Sequence, residues 1–498
     1  MSVPLSTLIR EITSAHLVGH APDTKADVTA VCVDSRKAKE DCLFVCIKGF
    51  VSDGHAYAPK AYEQGCRYYL VEDILDLPDD ALQILVPDTR KAEAEAAAAF
   101  YGHPERDVAV VGLTGTKGKT TTALFLQKIL NDAGIPTGYM GTNGVIFGSK
   151  RYPTANSTPD SLLIYAYLRE MADAGMKAAV LEVSSQGLKL HRTHGLSFRA
   201  CAFTNLSRDH IGENEHPNML DYTFCKQRLF TDYPHAFTIC NVDDPSVSIM
   251  NSGDLGTIVG FSSDPRSRAP WKITAMQGVI RSGIPGMEYA VTCRGKALPH
   301  MYFLPQPGAF NVKNALCAIA LACEAFNVSV EVACESLENA TVPGRFETVF
   351  HDHVLYVIDY AHNGVSMASM LDLLRDYHPT RLICLFGSVG ERTKERRREL
   401  AEAAGLRADL CILTSDNPGR EDPEAILREI DTAFPEGSCP RVIIPDRAEA
   451  VAYAVANARA GDMILLAGKG HETYQLLGAE KVPYSDMKTL LCALNNAK

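Results

Sequence analysis

Residues 108–134 read VAVVGLTGTKGKTTTALFLQKILNDAG, and this stretch decides the fold of the region around it. VAVVGL has the composition of a buried strand, TGTKGK is a glycine-rich turn, and the apolar spacing that follows predicts a helix closed by Gly134. Backbone N–H groups of such a turn converge on phosphate oxygens at the positive end of the helix. Lys119 would reach the β- and γ-phosphates, and the Thr120 hydroxyl would bind Mg²⁺. The stretch therefore predicts a phosphate-binding loop in a shortened form, G-x-x-G-K-T, that begins at Gly115.

The chain on either side of this loop alternates strand-like and helical runs, which is the pattern of parallel α/β sheets. At about 150 residues per domain, the 498 residues predict three domains. Two linker-like stretches, YGHPERD and TVPGRFE, divide the chain into an α/β domain at 1–105, a central parallel-sheet domain at 106–340 and a Rossmann-like α/β domain at 341–498. Alternating segments with glycines at 262–300 predict a small antiparallel insertion in the central domain.

Polar residues follow the predicted strands directly in both of the larger domains. Glu182 ends the strand KAAVLEV in the central domain, and Asp359 ends LYVID in the last one. Open α/β sheets bind ligands at the carboxyl ends of their strands. We therefore expect a binding site at each of these edges, shared across a cleft between the two domains.

Charge and composition narrow the class of protein. A formal charge of −11 disfavours non-specific nucleic-acid binding, which needs a basic surface. Apolar runs are shorter than the roughly 20 residues of a membrane span, and Arg10 and Glu11 stand where a signal peptide has its apolar core. The cysteines lack C-x-x-C spacing, which predicts reduced core thiols. We expect a cytoplasmic protein that binds neither nucleic acid nor membrane.

Several charged side chains near the predicted edges have two interpretations each. Glu182 suits a Mg²⁺ ligand but also a helix cap. His210 would complete a metal site, with Asp209 orienting its ring, although an isolated histidine is more often structural. Lys226 lies on a predicted helix, and its spacing alone indicates a solvated surface lysine. Arg447 is a candidate anion contact in the last domain, although a single arginine is usually a surface charge.

Eight motifs occur in one order along the chain: TGTKGKTT, LEVSS, FTNLSRDH, FNVKNAL, PGRFE, DYAH, SDNP and GKGHE. In this combination the sequence resembles the Mur ligases, most closely those that attach the third amino acid of the cell-wall peptide. DSRKAKEDCLFVCIKGFVSDGHAY resembles the uridine-nucleotide domain of the same family, so the resemblance covers nearly the whole chain. It implies an ATP-dependent ligase that acts on UDP-N-acetylmuramoyl-L-alanyl-D-glutamate through an acyl phosphate.

The resemblance also implies roles for individual residues. ATP would be held by the phosphate loop and by residues of later motifs, namely Gly115, Thr116, Lys117, Gly118, Lys119, Thr120, Thr121, Asn311, Arg345, Asp359 and His362. Two Mg²⁺ ions would be bound by Thr120, Glu182, His210 and Lys226, the last as a carbamylated lysine. The catalytic set would be Lys119, Glu182, His210 and Lys226. The UDP-linked peptide would be contacted by Ser35, Asn156, Ser157, Thr158, Ser184 and Arg192.

The added amino acid would be bound by Arg392, Asp416, Asn417, Gly468 and Glu472. Arg392 would bind a carboxylate of this substrate, and Asp416, Asn417 and Glu472 would bind an amine. Members that add meso-diaminopimelate have D-N-P-R where this loop reads DNPG, and Gly419 offers no charge to a distal carboxylate. GSVGERTK and DHIGENEHP also resemble lysine-adding members, whereas GKGHETYQ is shared with diaminopimelate adders. These patterns favour L-lysine, with meso-diaminopimelate or L-ornithine as alternatives.

Two further hypotheses concern the reaction itself. Folylpolyglutamate synthases share the fold and the acyl-phosphate chemistry, but the DSR and DGH motifs and the DNPG loop disfavour that function. An inactive nucleotide-binding regulator is disfavoured because Lys119, Glu182, His210 and Lys226 are all present. The expected partners are small molecules only, and a monomer is expected.

Overall fold

The computed structural model describes residues 2–19, 26–49, 52–209, 211–212, 215–391 and 394–496. The chain divides into two compact units. The first comprises Met1–Ile273, Thr292–Ala297 and Lys313–Ser336, and the second comprises Thr274–Val291, Leu298–Val312 and Leu337–Lys498. Both units are built from alternating strands and helices, which confirms the predicted α/β class.

The first unit begins with a small α/β sheet. Its elements are β1 (Val3–Pro4), α1 (Leu5–Glu11), β2 (His16–Val18), β3 (Asp27–Val28), β4 (Ala30–Cys32), β5 (Cys42–Val45), α2 (Ala58–Glu63), β6 (Tyr68–Val71), β7 (Leu82–Leu85) and α3 (Thr89–Phe100). The sheet order is β2-β7-β6-β5-β4, and β4 to β7 run parallel. Alanines cover α3 on several sides, so the helix fits between two cores: Ala92 and Ala96 pack in one, and Ala94 and Ala97 in the other.

A longer sheet follows, centred on the strand before the phosphate loop. Its elements are β8 (Ala109–Thr114), α4 (Lys119–Asp132), β9 (Thr137–Gly141), β10 (Gly144–Phe147), β11 (Lys150–Tyr152), α5 (Ser161–Asp173), β12 (Ala178–Glu182), α6 (Ser185–Lys189), β13 (Phe198–Phe203), α7 (Met219–Thr231), β14 (His235–Asn241), α8 (Val247–Met250) and β15 (Thr257–Ser262). The order is β11-β10-β9-β12-β8-β13-β14-β15, parallel from β9 to β15. The carboxyl ends of β8, β12 and β13 are therefore neighbours, and the predicted site residues follow them.

Antiparallel strands come next, where the sequence predicts an insertion. They are β16 (Trp271–Arg281), β17 (Ile284–Cys293), β18 (Lys296–Ala297) and β19 (Tyr302–Leu304), and β17 pairs antiparallel with both β18 and β19. The helices α9 (Ala309–Phe326) and α10 (Val330–Ser336) then end this region. Within the described ranges, α9 alone is long and apolar enough to cross a membrane, and 67% of it is buried inside the protein.

The second unit contains the C-terminal α/β sheet. Its elements are β20 (Glu347–His351), β21 (Val354–Asp359), α11 (Gly364–Arg375), β22 (Leu382–Phe386), α12 (Glu395–Gly405), β23 (Leu410–Leu413), α13 (Pro423–Thr432), β24 (Arg441–Ile443), α14 (Arg447–Ala456), β25 (Met463–Ala467), β26 (Tyr474–Leu477), β27 (Glu480–Pro483) and α15 (Asp486–Asn496). The order is β20-β21-β25-β22-β23-β24. β21 to β25 are parallel, as predicted, and β20 adds an antiparallel edge that was not predicted.

Candidate active site

The phosphate loop is folded tightly against the neighbouring strand and helix. Gly115 has φ +149°, and a Cβ on it would lie 2.0 Å from Thr204 Oγ1. Gly118 has φ +86°, and a Cβ there would lie 2.4 Å from Asn314 Oδ1. Both positions therefore require glycine, because any side chain would meet these polar groups in addition to backbone strain.

Side chains after β13 hold the loop in shape. Asn205 accepts from the N–H of Lys117 through Oδ1 (3.0 Å) and from the N–H of Thr116 through its carbonyl oxygen (2.8 Å). Thr204 Oγ1 and Asn205 Nδ2 both donate to the Lys117 carbonyl oxygen, at 2.7 and 2.8 Å. Thr120 and Thr121 follow on the first turn of α4, each 8% exposed. The loop is thus preformed for a ligand at the N-terminus of α4.

Two lysine side chains donate hydrogen bonds to the same carbonyl oxygen of the loop. Lys119 Nζ donates to the carbonyl oxygens of Gly115 (2.8 Å) and Thr116 (3.1 Å). Lys226 on α7 is 2% exposed, and its Nζ also donates to the Gly115 oxygen, at 2.9 Å. Burial, with the nearby charge of Lys119, lowers the pKa of Lys226 well below its usual range. The spacing-based interpretation of Lys226 as a surface lysine is therefore wrong.

Glu182 is fully buried at the end of β12, and its carboxylate is fixed by neighbouring donors. Its Oε1 accepts from the Tyr139 hydroxyl (2.5 Å) and the Thr142 N–H (3.0 Å), and its Oε2 accepts from Thr142 Oγ1 (3.2 Å). Thr142 Oγ1 also lies 2.9 Å from Ser157 Oγ. The absence of a side chain at Gly141 makes space for the Glu182 carboxylate, since a Cβ there would lie 2.2 Å from Glu182 Oε1. A hydrogen-bonded chain therefore joins the predicted metal ligand to the predicted peptide-binding motif.

Hydrogen bonds connect four of the predicted peptide-binding residues, namely Ser157, Thr158, Ser184 and Arg192, through Thr142 and Glu182. Thr158 is fully buried, and its hydroxyl donates to the Glu182 carbonyl oxygen (2.9 Å) and lies 3.0 Å from Ser184 Oγ. Arg192 donates to the Thr158 carbonyl oxygen (2.9 Å) and pairs with Asp160 (2.9 Å). Asn156 is exposed. Thr158 thus braces the motif internally, while Asn156 is available to a ligand.

Ser35 lies at the mouth of a cavity in the N-terminal sheet. It starts a short 3-10 helix, Ser35–Lys37, whose cap is Asp34. The cavity has a volume of about 390 Å³ and is lined by Val33, Asp34, Ser35, Arg36, Ser52, Tyr57 and Lys60. An aromatic ring that is 46% exposed (Tyr57) and two cationic side chains suit a base and an attached phosphate.

Sequence reasoning missed a chain of three side chains that connects α6 to α7. His216 is fully buried, with Nδ1 2.6 Å from Asp221 Oδ2 and Nε2 2.9 Å from Ser185 Oγ. Burial lowers the pKa of His216, which favours a neutral ring. A neutral ring that donates from Nδ1 to the carboxylate would accept the serine hydroxyl at Nε2. His216 and Asp221 are five residues apart, but Ser185 lies 31 residues before His216, so no local spacing predicts the complete chain. Lys189 also pairs with Asp221 (3.1 Å), so a cation already occupies this cluster.

The ATP-contact residues predicted from later motifs lie in the second unit. Asp359 is buried at the end of β21 and accepts from the N–H groups of Phe346 (2.9 Å) and Ala361 (2.8 Å). Burial raises the pKa of Asp359. Arg345 and His362 both lie close to the aromatic ring of Tyr360. The Arg345 guanidinium lies 5.3 Å from the centre of this ring, and the centre of the His362 ring lies 4.8 Å from it. Asn311, also buried, donates to the Pro307 carbonyl oxygen (2.9 Å).

The residues of this unit that are predicted to bind the added amino acid are also close together. Asn417 Nδ2 donates to Glu472 Oε2 at 2.9 Å, and Asn417 Oδ1 accepts from the N–H of Leu476 at 2.9 Å. Asp416 is buried, and burial raises the pKa of its carboxyl. Gly468, with φ +105°, approaches it so closely that a Cβ would lie 2.9 Å from Asp416 Oδ2.

Arg447, a candidate anion contact, does not lie where a ligand can reach it. Arg447 is 1% exposed, and its guanidinium binds Asp486 through two hydrogen bonds of 2.8 Å. It also donates to the Ala467 carbonyl oxygen (2.9 Å). The interpretation of Arg447 as an anion contact is therefore wrong, because a buried aspartate already satisfies it. His210 and Arg392, predicted as a metal ligand and a substrate contact, lie outside the described residues.

Comparison with known proteins gives family matches along most of the chain. Residues 27–101 match the profile described as Mur ligase family, catalytic domain, and residues 113–322 match the Mur ligase middle domain. Residues 344–470 match the Mur ligase, glutamate ligase domain.

Curated relatives match nearly end to end. A UDP-N-acetylmuramoyl-L-alanyl-D-glutamate–2,6-diaminopimelate ligase of Caldanaerobacter subterraneus subsp. tengcongensis is 37% identical over 462 residues, which are 92% of this chain and 93% of that protein. The ligase of the same name in Geobacillus thermodenitrificans is 35% identical over 484 residues, 95% of this chain and 96% of that protein.

Solved structures show the same fold. A structure of a protein with that ligase name has a TM-score of 0.72 and 25% identity, and the match covers 100% of this chain and 99% of the other. A Mycobacterium tuberculosis folylpolyglutamate synthase complexed with ADP and AMPPCP has a TM-score of 0.60 and 18% identity, covering 76% of this chain and 92% of that one. The second likeness concerns the fold alone.

Proposed function

The chain belongs to the Mur ligase family, and on that premise we propose that it joins an amino acid to UDP-N-acetylmuramoyl-L-alanyl-D-glutamate at the expense of ATP. It is an α/β protein of three domains, a ligase of peptidoglycan synthesis that adds the third residue of the peptide. The domain boundaries we propose are 1–105, 106–340 and 341–498.

One observation carries the proposal. The chain Glu182–Thr142–Ser157 joins the end of β12, beside the phosphate loop, to the motif proposed to hold the peptide. A ligase that activates a carboxylate with ATP needs its phosphate site next to the site that holds this carboxylate, because the reacting atoms must lie about 3 Å apart. A simple nucleotide hydrolase has no use for such a connection.

The reaction follows from ordinary acyl-phosphate chemistry. A carboxylate oxygen of the D-glutamyl residue attacks the γ-phosphorus of ATP, and ADP leaves. The amine of the incoming amino acid then attacks the acyl carbon, inorganic phosphate leaves with the electron pair of the C–O bond, and the nitrogen loses a proton. Lys119, at the start of α4, would neutralise charge on the transferred phosphoryl group, and the loop N–H groups would orient it.

The residues around the loop fit two Mg²⁺ ions and a carbamylated lysine. Thr120 supplies a hydroxyl, and the Tyr139 hydroxyl and the Thr142 N–H fix the position of the Glu182 carboxyl group. Burial, and then the charge of Lys119, lower the pKa of Lys226, and this shift favours the neutral amine, the form that reacts with CO₂. A carbamate on Lys226 would give the site the anionic oxygen ligand that Mg²⁺ prefers. When bound, Mg²⁺ neutralises charge on the phosphates. His210 is proposed as a further ligand.

We propose meso-diaminopimelate as the added amino acid. The relatives of 35–37% identity carry that substrate in their names, which supports the alternative over the L-lysine favoured by the DNPG loop. Asp416, Asn417, Gly468 and Glu472 would bind the amine, with Arg392 on a carboxylate. In the second unit Asn311, Arg345, Asp359 and His362 would contact ATP. The protein is further proposed to work in the cytoplasm as a monomer.

The test is phosphate release with UDP-N-acetylmuramoyl-L-alanyl-D-glutamate and ATP, with mass spectrometry of the product. L-lysine, meso-diaminopimelate and L-ornithine are offered separately, and a folate with L-glutamate forms a further arm. We expect turnover and a new tripeptide product with meso-diaminopimelate. Turnover only with L-lysine would reverse the choice of amino acid, and turnover only in the folate arm would overturn the function.

A further inference from the structure

Lys469 is a completely buried lysine at the carboxyl edge of the C-terminal sheet, directly after β25. The turn around it contains Gly468 and Gly470, with φ +105° and +48°. A Cβ on Gly470 would lie 2.8 Å from the Gly344 carbonyl oxygen, so the chain can make this turn only with glycine there. The turn directs the Lys469 side chain inward rather than into solvent.

The Lys469 ammonium occupies the acceptors that sequence reasoning gave to the substrate's amine. Nζ donates to Asn417 Oδ1 (2.8 Å) and to Glu472 Oε2 (2.7 Å). It lies 3.6 Å from Asp416 Oδ1, an ion-pair distance longer than a hydrogen bond. Asn417 also donates to Glu472 Oε2, so Lys469, Asn417 and Glu472 each contact the other two. The orientation of Asn417 and Glu472 therefore depends on Lys469.

The charges of this cluster are unequal. Asp416 and Glu472 carry two negative charges and Lys469 one positive charge, so the cluster has a formal charge of −1. The nearby Arg447 and Asp486 are both buried and neutralise each other. Without the Lys469 ammonium, two carboxylates would face each other in a buried setting, where like charges repel strongly.

We propose that Lys469 is a positioning residue that determines which amino acid is added. The inference rests on the proposed function and deepens it, because it concerns the amino-acid site of that reaction. The ammonium fixes Asn417 and the Oε2 side of Glu472, and leaves Oε1 of Glu472 to an incoming ammonium. It also adds one positive charge beside the site. This charge favours an added amino acid whose distal end carries a carboxylate as well as an ammonium over one whose distal end carries an ammonium alone.

The sign of the effect follows from the charge alone. The distal end of meso-diaminopimelate is a zwitterion, whereas that of L-lysine is a cation. Removal of the Lys469 charge makes the cluster more negative by one unit, which favours the cation over the zwitterion. A residue that only stabilises the fold would change turnover with both amino acids by the same factor.

The experiment compares Lys469→Met with the matched control Lys481→Met, an exposed lysine on β27. We expect KM for meso-diaminopimelate to rise about tenfold in Lys469→Met, with KM for ATP unchanged. The ratio of kcat/KM for L-lysine to that for meso-diaminopimelate should rise by about the same factor. Lys481→Met should match the unmodified protein in every constant.

If Lys469→Met does not fold, Asp416→Asn alone takes its place, because it makes the cluster less negative by one unit and should lower the same substrate ratio. A further variant shows whether the change in ratio comes from the charge. Lys469→Met/Asp416→Asn removes one charge of each sign, so the cluster keeps its charge of −1 and buries no extra unpaired carboxylate. We expect this variant to return the substrate ratio to that of the unmodified protein while KM stays raised. An unchanged ratio in Lys469→Met would overturn the inference. Failure of the unmodified protein with every amino acid would instead overturn the proposed function.

Discussion

Lys119 and Lys226 donate to one carbonyl oxygen, that of Gly115, at 2.8 and 2.9 Å. Burial is the main cause that lowers the pKa of Lys226, and repulsion between the two ammonium groups adds to it. Both effects favour the neutral form of Lys226, although its position on α7 alone would indicate an ordinary surface lysine.

The first prediction concerns stability and pH. The pKa of Lys226 is lowered below 10.5 in the folded protein, so below pH 10.5 the unfolded chain binds the extra proton. Stability therefore falls as pH falls through this range. Lys226→Met has no amine to titrate and so avoids this loss of stability. In CO₂-free and Mg²⁺-free buffer, its Tm should therefore exceed that of the unmodified protein at pH 7, and the difference should be smaller at pH 10.

The control for this prediction is Lys39→Met, an exposed lysine, whose Tm should show no such pH-dependent difference. Added bicarbonate should raise the Tm of the unmodified protein but not of Lys226→Met, and ¹³C-bicarbonate should give a carbamate signal by NMR. A Tm for Lys226→Met below that of the unmodified protein at pH 7 would contradict the prediction.

The second prediction concerns Tyr139, whose hydroxyl donates to Glu182 at 2.5 Å. Tyr139→Phe keeps the ring and removes the donor, so the Glu182 carboxylate loses one of its restraints. Loss of a group that orients a metal ligand costs roughly tenfold or more in metal affinity. We expect about that loss in Mn²⁺ binding, followed by EPR. Tyr165→Phe, another buried tyrosine of this unit, should bind Mn²⁺ normally, and equal affinity in both variants would rule out the role of Tyr139.

The third prediction concerns the buried pair Arg447 and Asp486. Removal of one partner of a buried ion pair costs about 3–5 kcal/mol, because the other charge is left uncompensated. Arg447→Met should lower the free energy of unfolding by about that amount in urea titrations. Arg447→Met/Asp486→Leu should recover most of the loss, since both charges are gone. If Arg447→Met instead leaves stability intact and raises KM for a substrate, the arginine is an anion contact after all.

The fourth prediction concerns Gly419, the position at which the D-N-P-R pattern would place an arginine. Gly419 has φ +59°, and a Cβ there would lie 2.7 Å from Glu391 Oε2. A non-glycine residue in this conformation costs roughly 1–2 kcal/mol. Gly419→Arg should therefore lower both Tm and kcat/KM for meso-diaminopimelate. Adding Glu391→Ala should recover part of the loss, and higher activity in Gly419→Arg alone would show that the loop accepts the arginine.

Local patterns predicted the fold of this protein well. The glycine-rich turn, the strand ends with polar residues and the alternating insertion at 262–300 each depend on neighbours in sequence, and the structure confirms them. The predicted position of Glu182 at the end of β12 follows from the same logic.

The errors arose where distant residues decide the outcome. The burial of Lys226 depends on Gly115, 111 residues away, and that of Arg447 on Asp486, 39 residues away. Helical spacing describes only one face of one helix and cannot show what packs on it. The choice of amino acid depends on distant residues as well: L-lysine was favoured from the DNPG loop and two other local patterns, whereas the names of the relatives support meso-diaminopimelate. The proposed role of Lys469, which follows a different strand, would lie outside any such local pattern.

The contact chain Ser185–His216–Asp221 has a consequence for protein engineering. Segments on both sides of residues 186–215 contribute to it, so a chimera that changes parent sequence within that interval joins a serine from one ancestor to a histidine and aspartate from another. Unless both parents carry the same trio, the hybrid inherits a buried imidazole with mismatched neighbours. Recombination points beyond α7 transmit the trio intact, so exchange between relatives is expected to tolerate breakpoints there and to select against those inside it.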